Sequence, residues 1–271
     1  MDEHITDNTI KRLLRPRNEW GNKGDFGTLA MLCGSPYMSG AAYLSAISAL
    51  KSGVGLLKFA GSDEMIAIMR QMLSEPVYTP VPGGDIFRRA TAFLCGCGVG
   101  GYYEDILAGT LAACDVPAVL DADCINFLAR NTFILREMKC ERIITPHPGE
   151  MARLTGKSIA EIELSRSETA AEFAREYGCH VLLKGHRTVI AAPDGQVFIN
   201  ETGSSALAKG GSGDVLAGVI ASLAAQGYSL LESARIGAHI HGLAGEILAV
   251  QEGECGVLPH ELPGVIGRLL R

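Results

Sequence analysis

The stretch ALAKGGSGDVLAGVIASLAAQG, residues 206–227, sets a glycine-rich turn directly against a long and nearly unbroken apolar run. A segment that is apolar on every face reads as a helix buried on every face, so the pattern predicts a helix over 214–226 inside a layered α/β protein. The first turn of a helix leaves N–H groups free and carries the positive end of the dipole. Gly210, Gly211, Ser212 and Gly213 therefore read as an anion-holding turn. One acid, Asp214, stands at the seam. Two readings stand side by side: Asp is a favoured N-cap and would satisfy those N–H groups itself, or the turn holds an anion and leaves Asp214 free as a base, with the helix end favouring its ionised form.

Outward from this helix, short apolar runs ending in Gly, Asp or Pro alternate with longer helical stretches. Strands are expected at 28–33, 55–60, 91–96, 117–121, 142–147 and 180–185, and helices at 40–52, 62–73, 102–113, 123–130 and 158–177. Asp194-Gly195 marks a hairpin within TVIAAPDGQVFIN, after which the tail becomes helical over 214–226, 229–250 and 259–270. Interleaved strands and helices predict parallel β-α-β units in a three-layer α/β/α fold with a central, mostly parallel sheet. No linker or repeat interrupts the pattern, so residues 1–271 are expected to form a single domain, with 1–25 as an N-terminal helical extension. In such sheets ligands bind beyond the carboxyl ends of the strands. Asp121, His147 and Lys184 all fall there, in reach of the 210–214 turn.

The 271 residues are 47% hydrophobic, with 33 glycines and a net charge of −6, a composition that suits short buried strands, apolar helices and tight turns. No Lys/Arg cluster offsets the negative charge, which argues against nucleic acid or an anionic membrane as a partner. The eight cysteines contain no C-x-x-C pair and several sit in strand-like segments, so they read as reduced core residues, with no disulfide frame or zinc site. Neither a signal core nor a membrane-length apolar run is present, and a cytoplasmic location is expected.

Gly96, Gly98 and Gly101 form a G-x-G-x-x-G after a strand, with Asp121 about 20 residues on, the dinucleotide fingerprint and its ribose acid. A dehydrogenase reading follows from it. The motif nevertheless lies behind two complete β-α units, and a tight turn in a glycine-rich chain gives the same match.

Four further segments are more specific together: GSPYMSGAAYLSAISALKSGVGLLKF (34–59), TPHPGEMARLTG (145–156), VLLKGHRTVIAAPDG (181–195) and NETGSSALAKGGSGDVLAGVIASL (200–223), joined by DADCINFLA and GAHIHGLAGEIL. The combination resembles the ADP/ATP-dependent NAD(P)H-hydrate dehydratase family, whose fold is ribokinase-like. The resemblance runs from about Gly27 to the C-terminal helix. It implies repair of a damaged cofactor: a nicotinamide dinucleotide whose ring has gained water gives up that water at the expense of ADP or ATP, with Mg²⁺. The ring hydroxyl takes the terminal phosphoryl group, phosphate then leaves, and NADH or NADPH is restored. A dinucleotide near Gly98 and Gly101 would then be substrate rather than redox cofactor.

Carried over residue by residue, the resemblance makes Asp214 the base. It places Ala41, Gly98, Gly101 and His147 with Asp214 on the hydrated dinucleotide, and Lys184, Gly185, His186, Arg187, Thr188 and Gly213 on the AMP part of the nucleotide. Asp121 and Asn126 are candidates to hold substrate or metal, and Glu150 is either a helix-start acid or a ligand of metal or water. Glu201, Ser204, Ser212 and Cys97 stand where the family has Pro, Asn, Thr and Pro; the loss of the Ser204 amide removes a contact near the site. The resemblance also implies a homo-oligomer, a tetramer by family habit, and a separate NAD(P)H-hydrate epimerase. A ribokinase-type kinase of a small alcohol or vitamin precursor shares the Gly-Gly-x-Gly-Asp turn, and a non-catalytic nucleotide sensor would keep the pocket; turnover of a hydrated dinucleotide separates them.

Overall fold

The computed structural model describes residues 2–270. The N-terminal segment contributes β1 (Glu3–His4) and α1 (Asp7–Leu13), so only part of the expected helical extension is helix. Next come β2 (Thr28–Leu32), α2 (Ser39–Lys51), β3 (Leu56–Gly61), α3 (Asp63–Met72) and β4 (Val77–Pro80). The middle of the chain forms β5 (Ala92–Cys95), α4 (Glu104–Ala113), β6 (Ala118–Leu120), α5 (Ala122–Arg130), α6 (Phe133–Glu137), β7 (Arg142–Ile144) and α7 (Pro148–Thr155). Then follow α8 (Ile159–Leu164), α9 (Arg166–Tyr177), β8 (His180–Leu183), β9 (Val189–Ala191), β10 (Val197–Ile199), α10 (Ser212–Ala225), α11 (Leu230–Glu252) and α12 (Leu262–Leu269).

All ten strands form one sheet in the order β1-β10-β9-β8-β7-β6-β5-β2-β3-β4, parallel except where β9 runs against β8 and β10. The central strands are buried on both faces, as parallel strands covered by helices must be. Their alternate residues feed two cores. Leu29, Met31, Leu94, Val119 and Ile143 face α2, α3, α10, α11 and α12. Ala30, Leu32, Phe93, Leu120 and Ile144 face α4, α5, α6, α7 and α9. The expected α/β/α layering is the observed one.

Helix α10 is apolar all round because it lies between the sheet and α2 with α11 on its flank. A Cβ at Gly218 would stand 2.2 Å from the Ser45 carbonyl oxygen, so only glycine lets α10 and α2 approach this closely. Ser222 completes the seam: its hydroxyl donates to the Ala49 carbonyl at 2.8 Å and accepts from the Val54 amide at 3.2 Å.

Three departures from the sequence reading have local causes. The helix expected over 158–177 breaks at Ser165, whose hydroxyl bonds the Glu161 carbonyl at 2.9 Å and competes with the helical backbone. TPHPGE is not a loop throughout: Pro148 fills the first helical position, where its missing N–H costs nothing, and α7 starts there. The short β4 and α6 carry too few residues for a periodic signal.

Candidate functional site

The chain order reverses between β2 and β5: β3 and β4 extend the sheet to one side of β2, and β5 to β8 extend it to the other. Such a switch point opens a crevice at the carboxyl ends of the strands. Every segment singled out in the sequence ends there. Ala41 follows β2, Gly98 and Gly101 follow β5, Asp121 and Asn126 follow β6, His147 and Glu150 follow β7, and Lys184 to Thr188 follow β8. The start of α10, which packs against β5 and β6, lies across the middle of this row.

The helix starts two residues earlier than expected, at Ser212, with Gly211 as its N-cap at φ +102°. Asp214 is therefore the third helical residue, and its carboxylate accepts no hydrogen bond from the turn. Among the described residues the amides of Gly210, Gly211, Gly213 and Asp214 have no acceptor. The capping reading is thus not the one the geometry supports: the turn presents free N–H donors at a helix start, and the acid beside them is unspent. Ser212 is fixed from behind by the His241 imidazole, its Nε2 3.2 Å from the hydroxyl, and burial pushes His241 down to about 4, so it is neutral there.

Beneath the turn lies a cluster of charges. Asp121 is 1% exposed, and its Oδ1 accepts from the Lys184 ammonium at 2.7 Å and from the Thr145 hydroxyl at 2.6 Å. The Cys97 thiol donates to Asp121 Oδ2 at 3.7 Å. Ligand atoms of Cys97, Asp121 and Asp214 all lie within 4.8 Å of one another. Burial, then the Asp121 charge, raise Asp214 to about 6, against the pull of Cys97 and Lys184. The helix end was expected to favour the ionised form; burial and the second carboxylate outweigh it. At neutral pH Asp214 is still mostly ionised, but with a proton affinity suited to a base.

Lys184 closes the other side of the turn, since a Cβ on Gly213 would be 3.3 Å from its Nζ. Its ammonium also lies 4.0 Å from Glu150 Oε2. Burial disfavours that charge, but Asp121 and Glu150 more than compensate and hold Lys184 above the ordinary lysine value. The structure thus directs the Lys184 side chain into the crevice, while Gly185, His186 and Arg187 form an exposed turn at the rim. Arg187 pairs there with Glu201 at 3.0 Å, and Thr188 donates to the Gly185 carbonyl at 3.1 Å. Ser204 caps a short 3-10 turn by accepting from the Ala206 amide at 3.2 Å.

His147 and Glu150 cap α7 reciprocally. Nδ1 of His147 accepts from the Gly149 and Glu150 amides at 3.0 and 3.3 Å, and Glu150 Oε2 accepts from the His147 amide at 2.8 Å. Burial, helped by Lys184 and Arg153, depresses His147, and its Nε2 lies 3.5 Å from Glu150 Oε1. Glu150 is 4% exposed, and burial raises it to about 7. Its helix-start role is visible, and so is its contact with the Lys184 charge.

The glycine fingerprint forms a real turn but does not open a helix with free amides, as a redox dinucleotide fingerprint would. A Cβ at Gly98, where φ is +66°, would lie 2.7 Å from the Ala41 Cβ, so these two residues meet across the switch point. The Gly100 amide is already bonded to Asp123 Oδ2 at 2.8 Å, and α4 starts only at Glu104. Asp121, the supposed ribose acid, is committed to Lys184 and Thr145. Asn126 Oδ1 accepts from Arg153 Nε at 2.9 Å. Sequence reasoning did not single out Thr145, Asp123, Arg153 or His241, although all four lie inside quoted motifs.

Comparison with known proteins identifies a family. The family model described as NAD(P)H-hydrate dehydratase matches residues 29–268. The ADP-dependent (S)-NAD(P)H-hydrate dehydratase of Neisseria meningitidis is 38% identical over 261 residues, covering 92% of this chain and 87% of that protein. The bifunctional NAD(P)H-hydrate repair enzyme of Moorella thermoacetica is 40% identical over 273 residues, 94% of this chain, which spans about half of that relative (52%). The crystal structure of the ADP/ATP-dependent NAD(P)H-hydrate dehydratase of Bacillus subtilis, co-crystallised with ATP and Mg²⁺, superposes with a TM-score of 0.89 at 30% identity over 99% of this chain and 97% of that one. A hydroxyethylthiazole kinase from Pyrococcus horikoshii shares the ribokinase-like fold at TM-score 0.64 and 16% identity. With the matched model covering all but the chain's two ends, this protein belongs to the NAD(P)H-hydrate dehydratase family.

Proposed function

We propose that this chain dehydrates the S-epimer of hydrated NADH or NADPH, restoring the reduced cofactor with ADP or ATP as phosphoryl donor. The observation that carries the reading is the unspent carboxylate of Asp214 beside four unpaired amides at the start of α10. Phosphoryl transfer needs positioning and charge neutralisation more than covalent help. The nucleotide's terminal phosphates sit in the 210–213 turn, and its AMP part lies along the exposed 185–188 turn. The hydrated nicotinamide ring enters from the side of Ala41, Gly98 and His147. Asp214 takes the proton of the ring hydroxyl as its oxygen bonds the terminal phosphorus, and the bond from that phosphorus to its bridging oxygen breaks, releasing AMP from ADP or ADP from ATP. The ring C–O bond then breaks, phosphate departs, and a proton is lost from the adjacent ring carbon, which re-forms the double bond. Lys184, held by Asp121 and Glu150, neutralises charge that accumulates at the turn.

Mg²⁺ would supply further neutralisation of the phosphates. Of the convergent trio, Cys97 is a soft thiol and Asp121 is engaged by Lys184 and Thr145, so the trio does not form an oxygen cage for the ion. That set fits an ion that arrives on the nucleotide's phosphates and keeps its waters, which is the usual habit of Mg²⁺.

The test is recovery of reduced-nicotinamide absorbance when hydrated NADH or NADPH is incubated with the protein, Mg²⁺ and ADP or ATP. Absence of recovery with either nucleotide refutes the reading, and accumulation of a stable phosphorylated alcohol would favour the kinase alternative. The 38–40% identical relatives support the dehydratase over the kinase. Relatives named as bifunctional repair enzymes support the pairing of this activity with a second repair activity, which we assign to an NAD(P)H-hydrate epimerase. We further propose a cytoplasmic homotetramer. Trp20, Tyr37, Leu164 and Val250, each at least 89% exposed, are apolar residues available for subunit contacts, and no helix is long and apolar enough to cross a membrane among the described residues.

A further inference from the structure

A cleft of about 220 Å³ opens beside the Gly98–Gly101 turn, with Gly100, Gly101, Asp123, Asn126 and Arg130 among its walls. Through Asn126 and Arg130 it continues into a wider groove that ends at Arg153. The order of the sheet decides which ligand this groove belongs to. The nucleotide segment follows β8, whereas the groove is built from segments following β5, β6 and β7, and those after β5 and β7 also carry Gly98 and His147.

The charges along the groove are not equivalent. Arg130 is diverted by Glu104, 2.9 Å away. Asp123 is occupied by the Gly100 amide and by Asn126, whose Nδ2 lies 3.4 Å from its Oδ1. Arg153 has no carboxylate partner among the described residues. Its Nε donates to Asn126 Oδ1 at 2.9 Å, which fixes the guanidinium plane and leaves both Nη groups without an acceptor. A relay thus runs from the glycine turn through Asp123 and Asn126 to a guanidinium fork aimed into the groove. A fork with two free, preorganised donors suits a phosphate, which accepts them in parallel.

Resting on the dehydratase reading, we propose that this groove holds the adenosine half of the hydrated dinucleotide and that Arg153 binds one of its phosphates. Asn126 acts as a positioning residue for Arg153.

Steady-state kinetics of Arg153→Gln and Arg153→Lys with hydrated NADPH and hydrated NADH, at saturating ADP, test this. Loss of one charge-assisted contact is expected to raise KM about tenfold in Arg153→Gln, with a much smaller fall in kcat and no change in KM for ADP, and Arg153→Lys recovers part of the loss. A rise confined to hydrated NADPH identifies the 2′-phosphate as the group bound; an equal rise for both hydrates identifies the pyrophosphate. Unchanged KM for both hydrates overturns the proposal while leaving the dehydratase reading intact. Failure of the unaltered protein to turn over either hydrate overturns the reading itself.

Discussion

Asp214→Asn separates the catalytic role of Asp214 from a capping one, because a buried carboxylate of raised proton affinity predicts a gain in stability and a cap predicts almost no change. The carboxyl is lifted from 3.8 to about 6, first by burial and then by Asp121. A folded-state pKa raised above the unfolded value means that the native state binds the extra proton. The ionised acid therefore destabilises the fold above pH 6, and this cost fades as pH falls towards 4. A shift of about two units corresponds to roughly 3 kcal/mol, of which an unpaired Asn amide returns a part, leaving a gain of about 1–2 kcal/mol for the variant at pH 8. That corresponds to a rise in melting temperature of roughly 2–6 °C for a chain of this size. Loss of a general base lowers turnover by roughly 10²–10⁴ over the same range. Thermal melts at pH 8 and pH 4.5, paired with the absorbance assay, read both quantities. A variant that melts at or below the parent at pH 8 refutes the reasoning, because Asn caps a helix about as well as Asp and a capping role therefore leaves stability nearly unchanged.

Three other substitutions probe separate parts of the site. Lys184→Met removes the cation that holds Asp214 down, so the acid limb of the kcat/KM profile moves to higher pH; it also leaves buried Asp121 unpaired, and urea unfolding should show a loss of about 3–5 kcal/mol. Gly98→Ala imposes a side chain at φ +66° against Ala41, and it is expected to raise KM for the hydrate while calorimetry shows ADP binding unchanged. Gly218→Ala drives a methyl group into the Ser45 carbonyl, forcing α10 away from α2 at a cost of about 1–3 kcal/mol in denaturant unfolding.

The layered fold was legible because its strongest signals are local and redundant: fully apolar strands such as TLAML, capping serines at 62, 158 and 229, and a helix apolar on every face. What escaped were features whose cause lies elsewhere in the fold. Ser165 breaks a helix through its own hydroxyl, which the apolar period of 158–177 does not register. The two-residue error at the start of α10 had a larger consequence, since it made Asp214 look like a cap. Gly211 takes that place because its left-handed backbone is needed to turn the chain into the helix.

The charge cluster shows why a site can be half visible in a sequence. Asp121 and Lys184 each fall at a strand end and Glu150 at a helix start, which their positions alone reveal. Their effect on Asp214 depends on the sheet order that brings β6, β7 and β8 beside one another, and on burial that strengthens every interaction among them. From the sequence the helix dipole was the only visible influence on Asp214, and it pointed towards a lower pKa. Within the fold burial, and after it a carboxylate neighbour, reverses the sign. An acid whose affinity for a proton is raised, yet which stays mostly ionised at neutral pH, serves better as a base than one held ionised by a cap. The unfavourable contact between Asp121 and Asp214 is therefore part of the site's chemistry, and Lys184 is what keeps it within the limits the fold can carry.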